Sequence, residues 1–100
     1  MAVYKDQYEE VAASATTQVL GPTGGAGDKL FALVVNVTTS ATGTVAIKDG
    51  SDTAITVVPA NTPIGAFTLS FGEFGARSRT GAWQITTGAG ASVVAVGDFS

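Results

Sequence analysis

The chain has 100 residues, no cysteine and no histidine, and a formal net charge of −3. That length holds one domain with enough buried surface for a core of its own. The two missing residue types exclude disulfide frameworks, thiolate metal sites, thiol nucleophiles and the commonest general base. Five scattered Lys and Arg do not make the basic stripe that a phosphate backbone requires, so nucleic acid is not an expected partner.

Charged residues are 13% of the chain and apolar residues 45%, with thirteen glycines. Long salt-bridged helices are therefore not expected; small side chains and many turns suit a β protein. The opening stretch, MAVYKDQYEE, lacks the apolar centre of a signal peptide. The longest apolar runs, such as residues 30–35, are far short of a membrane span. A soluble chain without an export signal is expected. Asn36, Val37 and Thr38 match a glycosylation acceptor, which carries meaning only in an exported protein.

In chain order, residues 1–14 stand apart. Tyr4, Tyr8 and Val11 fall at helical spacing, but one short helix would be marginal alone. An extended N-terminal arm that contributes no strand is expected there. The single domain then spans residues 15–100. Its candidate strands are residues 15–20, 28–39, 43–48, 53–58, 64–71, 82–87 and 91–99. Period two runs through all of them. Val45 pairs with Ile47, Ile55 with Val57, and Trp83 with Ile85. Phe67, Leu69 and Phe71 share one face, as do Val93, Ala95 and Phe99. The connectors are turn chemistry, with DGSD at residues 49–52 the best hairpin signal. The expected fold is all-β: an antiparallel β-sandwich, jelly-roll or Ig-like, of about seven to eight short strands. Phe67, Leu69, Trp83, Ile85 and Val93 are expected to be buried together.

The run VLGPTGGAGDKLFALVV, residues 19–35, raises the question of a phosphate-binding loop. Around Lys29 the Walker pattern fails: Asp28 and Leu30 stand where Gly and Ser or Thr are required. Gly25 and Gly27 lack the third glycine of a dinucleotide fingerprint. Both loops also open onto a helix, whereas this one opens onto a strand. A strand connector is the expected role. Asp49 and Asp52 are too few for a calcium loop, and the eight acids suggest no glycosidase pair. Hydroxyls are abundant, but the three lysines, Lys5, Lys29 and Lys48, are the only side chains left to activate them, and none sits in a motif. Trp83 could stack on a sugar, but core packing suits its strand better. Arg77 and Arg79 could meet an acidic partner or simply solvate an edge. No catalytic, cofactor-binding or metal-binding residues are expected.

Three blocks carry a resemblance. They are VAASATTQVLGPTGGAGDKL (residues 11–30), GTVAIKDGSDTAITVVPANT (residues 43–62) and GARSRTGAWQITTGAGASVVAVGDF (residues 75–99). Together they resemble small all-β virion structural proteins of tailed bacteriophages. The resemblance implies a capsid decoration or cement protein on the virion surface, assembled in the bacterial host cytoplasm. Its implied partners are the major capsid protein and further copies of itself, with a homotrimer expected. Val3, Tyr4 and Tyr8 are the candidate partner contacts, being of the kind enriched at interfaces. A tail, head–tail joining or fibre-associated protein and a carbohydrate-binding sandwich module are the alternatives.

Overall fold

The apolar alternation settles into antiparallel strands throughout the computed structural model, which describes residues 6–21 and 23–100. Among the described residues there are nine: β1 (Asp6–Val11), β2 (Gln18–Val19), β3 (Lys29–Val37), β4 (Val45–Asp49), β5 (Ile55–Val58), β6 (Gly65–Ser70), β7 (Ala76–Arg77), β8 (Trp83–Thr86) and β9 (Ala91–Asp98). They form two open sheets. The first runs β1-β9-β3-β6, with β7 paired to the start of β3; the second runs β2-β8-β4-β5. With β7 set aside, the pairing is nested. β4 pairs with β5, β3 with β6, β2 with β8, and β1 with β9. The chain thus behaves as one long hairpin whose tip is the turn after Asp49. Cross-pairs β3·β9 and β4·β8 then close its halves into sheets.

Each of the seven expected runs holds one observed strand. The N-terminal segment is a correction: β1 pairs with β9 along all six of its residues, and Val11 is buried at 1% exposure. Its inward positions are Glu9 and Val11, one polar and one apolar, so the strand lacks the apolar alternation that marks the others. Residues just beyond it are also tied down. Thr87 Oγ1 donates to the Ala12 carbonyl, and the Ser14 N–H donates to Gly88 O at 3.0 Å.

The core lies between the sheets. Leu33, Val35, Val37, Val93 and Ala95 fill it from one side; Val45, Ile47, Val58, Trp83 and Ile85 from the other. Leu30 and Leu33 both point inward although three residues apart. A β-bulge between Leu30 and Ala32 shifts the register against β9 by one residue, which resets the phase. Gly97 makes room at that place, since an added Cβ would strike Lys29 O and come 2.6 Å from Phe99 Cζ. Trp83, Ile85 and Val93 are buried as expected. Phe67 and Leu69 are only half-buried and pack against the core from its margin, because β6 is an edge strand with one neighbour.

Trp83→Ala should cost ~3–5 kcal/mol, the range for deleting a large buried aromatic. Denaturant unfolding monitored by circular dichroism measures it, and a loss below ~1 kcal/mol would contradict the burial described here.

Candidate functional site

The glycine-rich connector spends its N–H groups internally. Thr23 and Gly24 donate to Ser100 O at 3.1 and 2.6 Å, Gly25 to Asp28 Oδ2 at 3.1 Å, and Gly27 to both oxygens of Ser78. Ser78 Oγ in turn donates to Gly25 O. Trp83 Nε1 lies 3.1 Å from both Asp28 O and Ala76 O, so the ring serves as a strut beneath this connector. At 6% exposure it presents no face to a sugar. A phosphate cradle needs free, converging N–H groups; these already have partners.

Asp49 organises the glycine-containing turn at the hairpin tip. Asp52 N–H closes it on Asp49 O at 2.8 Å, while Gly50 takes φ 53° and donates to Ala82 O. A side chain at Gly50 would press into Thr80 Oγ1 and lie 2.5 Å from the Gly81 nitrogen. The buried Asp49 carboxylate accepts the N–H of Arg79 at 2.9 Å and that of Thr80 at 3.1 Å. Thr80 Oγ1 donates to Asp49 O at 2.6 Å. Burial pushes the carboxyl pKa up, but the backbone N–H groups of Arg79 and Thr80, the Thr80 hydroxyl and the Gly81 N–H outweigh it. The carboxyl is held below the ordinary aspartate value. The acid is thus a loop anchor, pinning the approach to β8 against the hairpin tip. Arg79 itself is 83% exposed and meets Asp52 at 3.9 Å, a surface pair of little consequence. Arg77, also exposed, sits opposite Lys29 in the short β7 ladder.

A groove of about 370 Å³ runs beside β1, lined by Glu10, Ala12, Gln18 and Ser92 among others. Glu10 is its one ionisable group, so it holds no acid–base pair. Two surfaces remain. The first is the outer face of the first sheet. Tyr8 stands opposite Val96 and Val96 opposite Ala32; Val94 stands opposite Val34 and Val34 opposite Thr68. Tyr8 is 69% exposed and Val34 37%. Of the other candidate contacts, Val3 and Tyr4 lie outside the described residues.

The second surface is the flank where β5 and β6 end their sheets, joined by residues 59–64. Ile55 lies opposite buried Ile47, Phe67 opposite Val35, and Leu69 opposite Leu33. All three therefore belong to the core face, yet Ile55 is 56% exposed and the other two are half-buried. Ile64 and Phe74 are exposed at either end of β6. Residues 53–72 contain no ionisable side chain, so this flank lacks the charges that usually protect edge strands. Sequence reading passed over it because the alternation looked like ordinary core; the absence of charge over that stretch was the available signal.

No protein-family model, curated protein or solved structure matches this chain.

Asp49→Ala should destabilise the fold by ~1–3 kcal/mol, the cost of leaving buried N–H groups unpartnered. The charge has a pH signature. Because the folded pKa is depressed, the carboxylate's contribution is full above the unfolded value of about 3.9 and is lost as pH falls through the folded one. Unfolding curves should show wild type ahead of Asp49→Asn at neutral pH, with the gap closing below about pH 4. A constant gap across that range would contradict the assignment.

Proposed function

We propose that this chain is a structural assembly protein, a bacteriophage capsid decoration protein that binds the shell surface and stabilises it. The observation that carries the reading is the outer face of the first sheet. It sets Tyr8, Val34, Val94 and Val96 side by side, a largely apolar patch of the kind that marks interaction sites. Glu10, opposite Val94, and Asp98, next after Val96 on the same face of β9, are the acids that border it.

Two further features support the reading. The nested strand order, with β7 treated as an insertion before β8, is that of an eight-stranded jelly roll, and we assign that finer fold here. Jelly rolls recur in viral capsid proteins and in lectins, an analogy of fold rather than of site. The buried Trp83 favours the former over the latter, since a lectin reading had that ring as its platform. In addition, Glu9, Asp28 and Asp49 are each bonded to backbone N–H groups, which suits a body built for rigidity. Many copies on a symmetric shell let modest single contacts add up.

Mass quantification of purified particles should find hundreds of copies per virion; a dozen or fewer would move the protein to the tail. Tyr8→Asp should leave the unfolding free energy within ~0.5 kcal/mol, as for other surface changes. It should weaken co-sedimentation with stripped shells by about tenfold or more, as loss of an interface aromatic does. Equal sedimentation of the two forms would contradict the proposed face.

A further inference from the structure

The open flank is built to be covered, and its chemistry identifies what covers it. Phe71 N–H donates to Phe31 O at 2.9 Å, in the same register that sets Leu69 against Leu33 and Phe67 against Val35. Hydrogen-bonded pairs alternate along an antiparallel ladder. Residues 65, 67, 69 and 71 therefore turn their N–H and C=O groups toward β3. Ala66, Thr68 and Ser70 turn theirs to the open edge. Their side chains are small and exposed, so nothing among the described residues blocks the approach of another strand.

We propose that two copies of this chain pair through their β6 edges, antiparallel, with Thr68 of one opposite Thr68 of the other. In that register Ala66 faces Ser70 of the second copy, and Ser70 faces its Ala66. The three residues with free backbone groups meet the same three, so every outward N–H finds a carbonyl. On the core side, Phe67 comes opposite Leu69 of the second copy, and each copy covers the ring the other leaves half-exposed. Small hydroxyl and methyl groups across a dyad make a favourable cross-strand set. The contact is isologous and closes at two copies.

The self-complementary register selects a second copy as the occupant. Each chain carries a net charge of −3, and a dyad at Thr68 lets two copies meet without bringing those charges into contact. Residues 53–72 around it hold no ionisable side chain. The other edges do not serve. β1 carries Asp6, Glu9 and Glu10, and a second β1 would set acids against acids. β2 and β7 are two residues long, and β5 is broken by a register shift after its pairing with Val45. The pairing does not rest on the shell-binding reading, because it uses the edge of the sheet and leaves Tyr8 free.

The test uses the full chain and two variants, Thr68→Lys and Thr68→Glu, whose side chains lie on the outer face away from the core. Sedimentation equilibrium at micromolar concentration should give wild type twice the 10.0 kDa of one chain. Each variant alone should sediment at the mass of one chain, because the dyad places like charges in contact. Mixing the two should restore the double mass, because residue 68 then meets its opposite charge. Circular dichroism of each variant checks that the body stays folded. Should Thr68→Lys fail that check, Ser70→Pro replaces it: proline removes an outward N–H that has no partner among the described residues, which an edge strand tolerates, and the variant should be a monomer. A wild-type mass of one chain or of three overturns the proposal. So does a folded single variant that keeps the double mass, or a mixture that stays monomeric. None of these outcomes touches the shell-binding test, which reads Tyr8 and particle copy number.

Discussion

The pairing of β3 with β9 is the constraint on which the other contacts depend. It joins positions 29–37 to positions 91–98, so its formation closes the stretch between Val37 and Ala91, more than half of the chain, into a loop. Such closure costs entropy before any contact repays it, and folds dominated by distant pairings form slowly. Once made, the pair supplies both central strands of the first sheet. β1 can dock only on β9, and β6 and β7 only on β3. The bulge beside Phe31 and the bare Cα of Gly97 let the two strands fit at their crowded end.

The two flanks of the molecule are finished differently. On one, Glu9 of β1 spans the sheets. Its carboxylate accepts Gly21 N–H at 2.7 Å and Gln18 Nε2–H at 2.8 Å, on and just beyond β2. A charged stitch of that kind seals the core and leaves acids at the rim. On the other flank, β5 and β6 are joined only by residues 59–64, held by Thr42 through Asn61 and Thr62. No side chain of the described residues bridges the gap with charge, and the core face shows through. The finish is asymmetric: one flank is sealed, and the other leaves an edge strand without a second neighbour.

Much of this was legible in the sequence. Strands β4, β8 and β9 announced themselves because both of their faces obey period two and one is buried; β3 did so as the longest apolar run of the chain. β1 was missed because its inward set is Glu9 and Val11. Without apolar alternation the segment read as an extended arm, and only the bonding of Glu9 to Gln18 and Gly21 explains an acid on the inner face. Burial of Leu30 together with Leu33 was equally hidden, since a bulge leaves no mark in hydrophobic periodicity. Phe67 and Leu69 were read as core because alternation reports which face a residue shares, not whether a neighbouring strand covers it. Asp49 looked like a turn residue and is one; its grip on Arg79 and Thr80 depends on a contact thirty residues away in sequence, beyond the reach of local pattern. The glycine-rich connector was read correctly as a link between strands. What sequence could not supply was the set of partners, Ser78, Trp83 and Ser100, that hold it still.

On the proposed pairing, the β6 edge is open within one chain and closed between two. Amide hydrogen exchange, read residue by residue by NMR over a dilution series, addresses it directly. At high concentration, the amides of Ala66, Thr68 and Ser70 should be protected nearly as well as those of Phe67 and Leu69. On dilution, the first three should lose protection together while the other two keep theirs. Protection of Ala66, Thr68 and Ser70 that does not change with concentration, or that is absent throughout, would contradict the account.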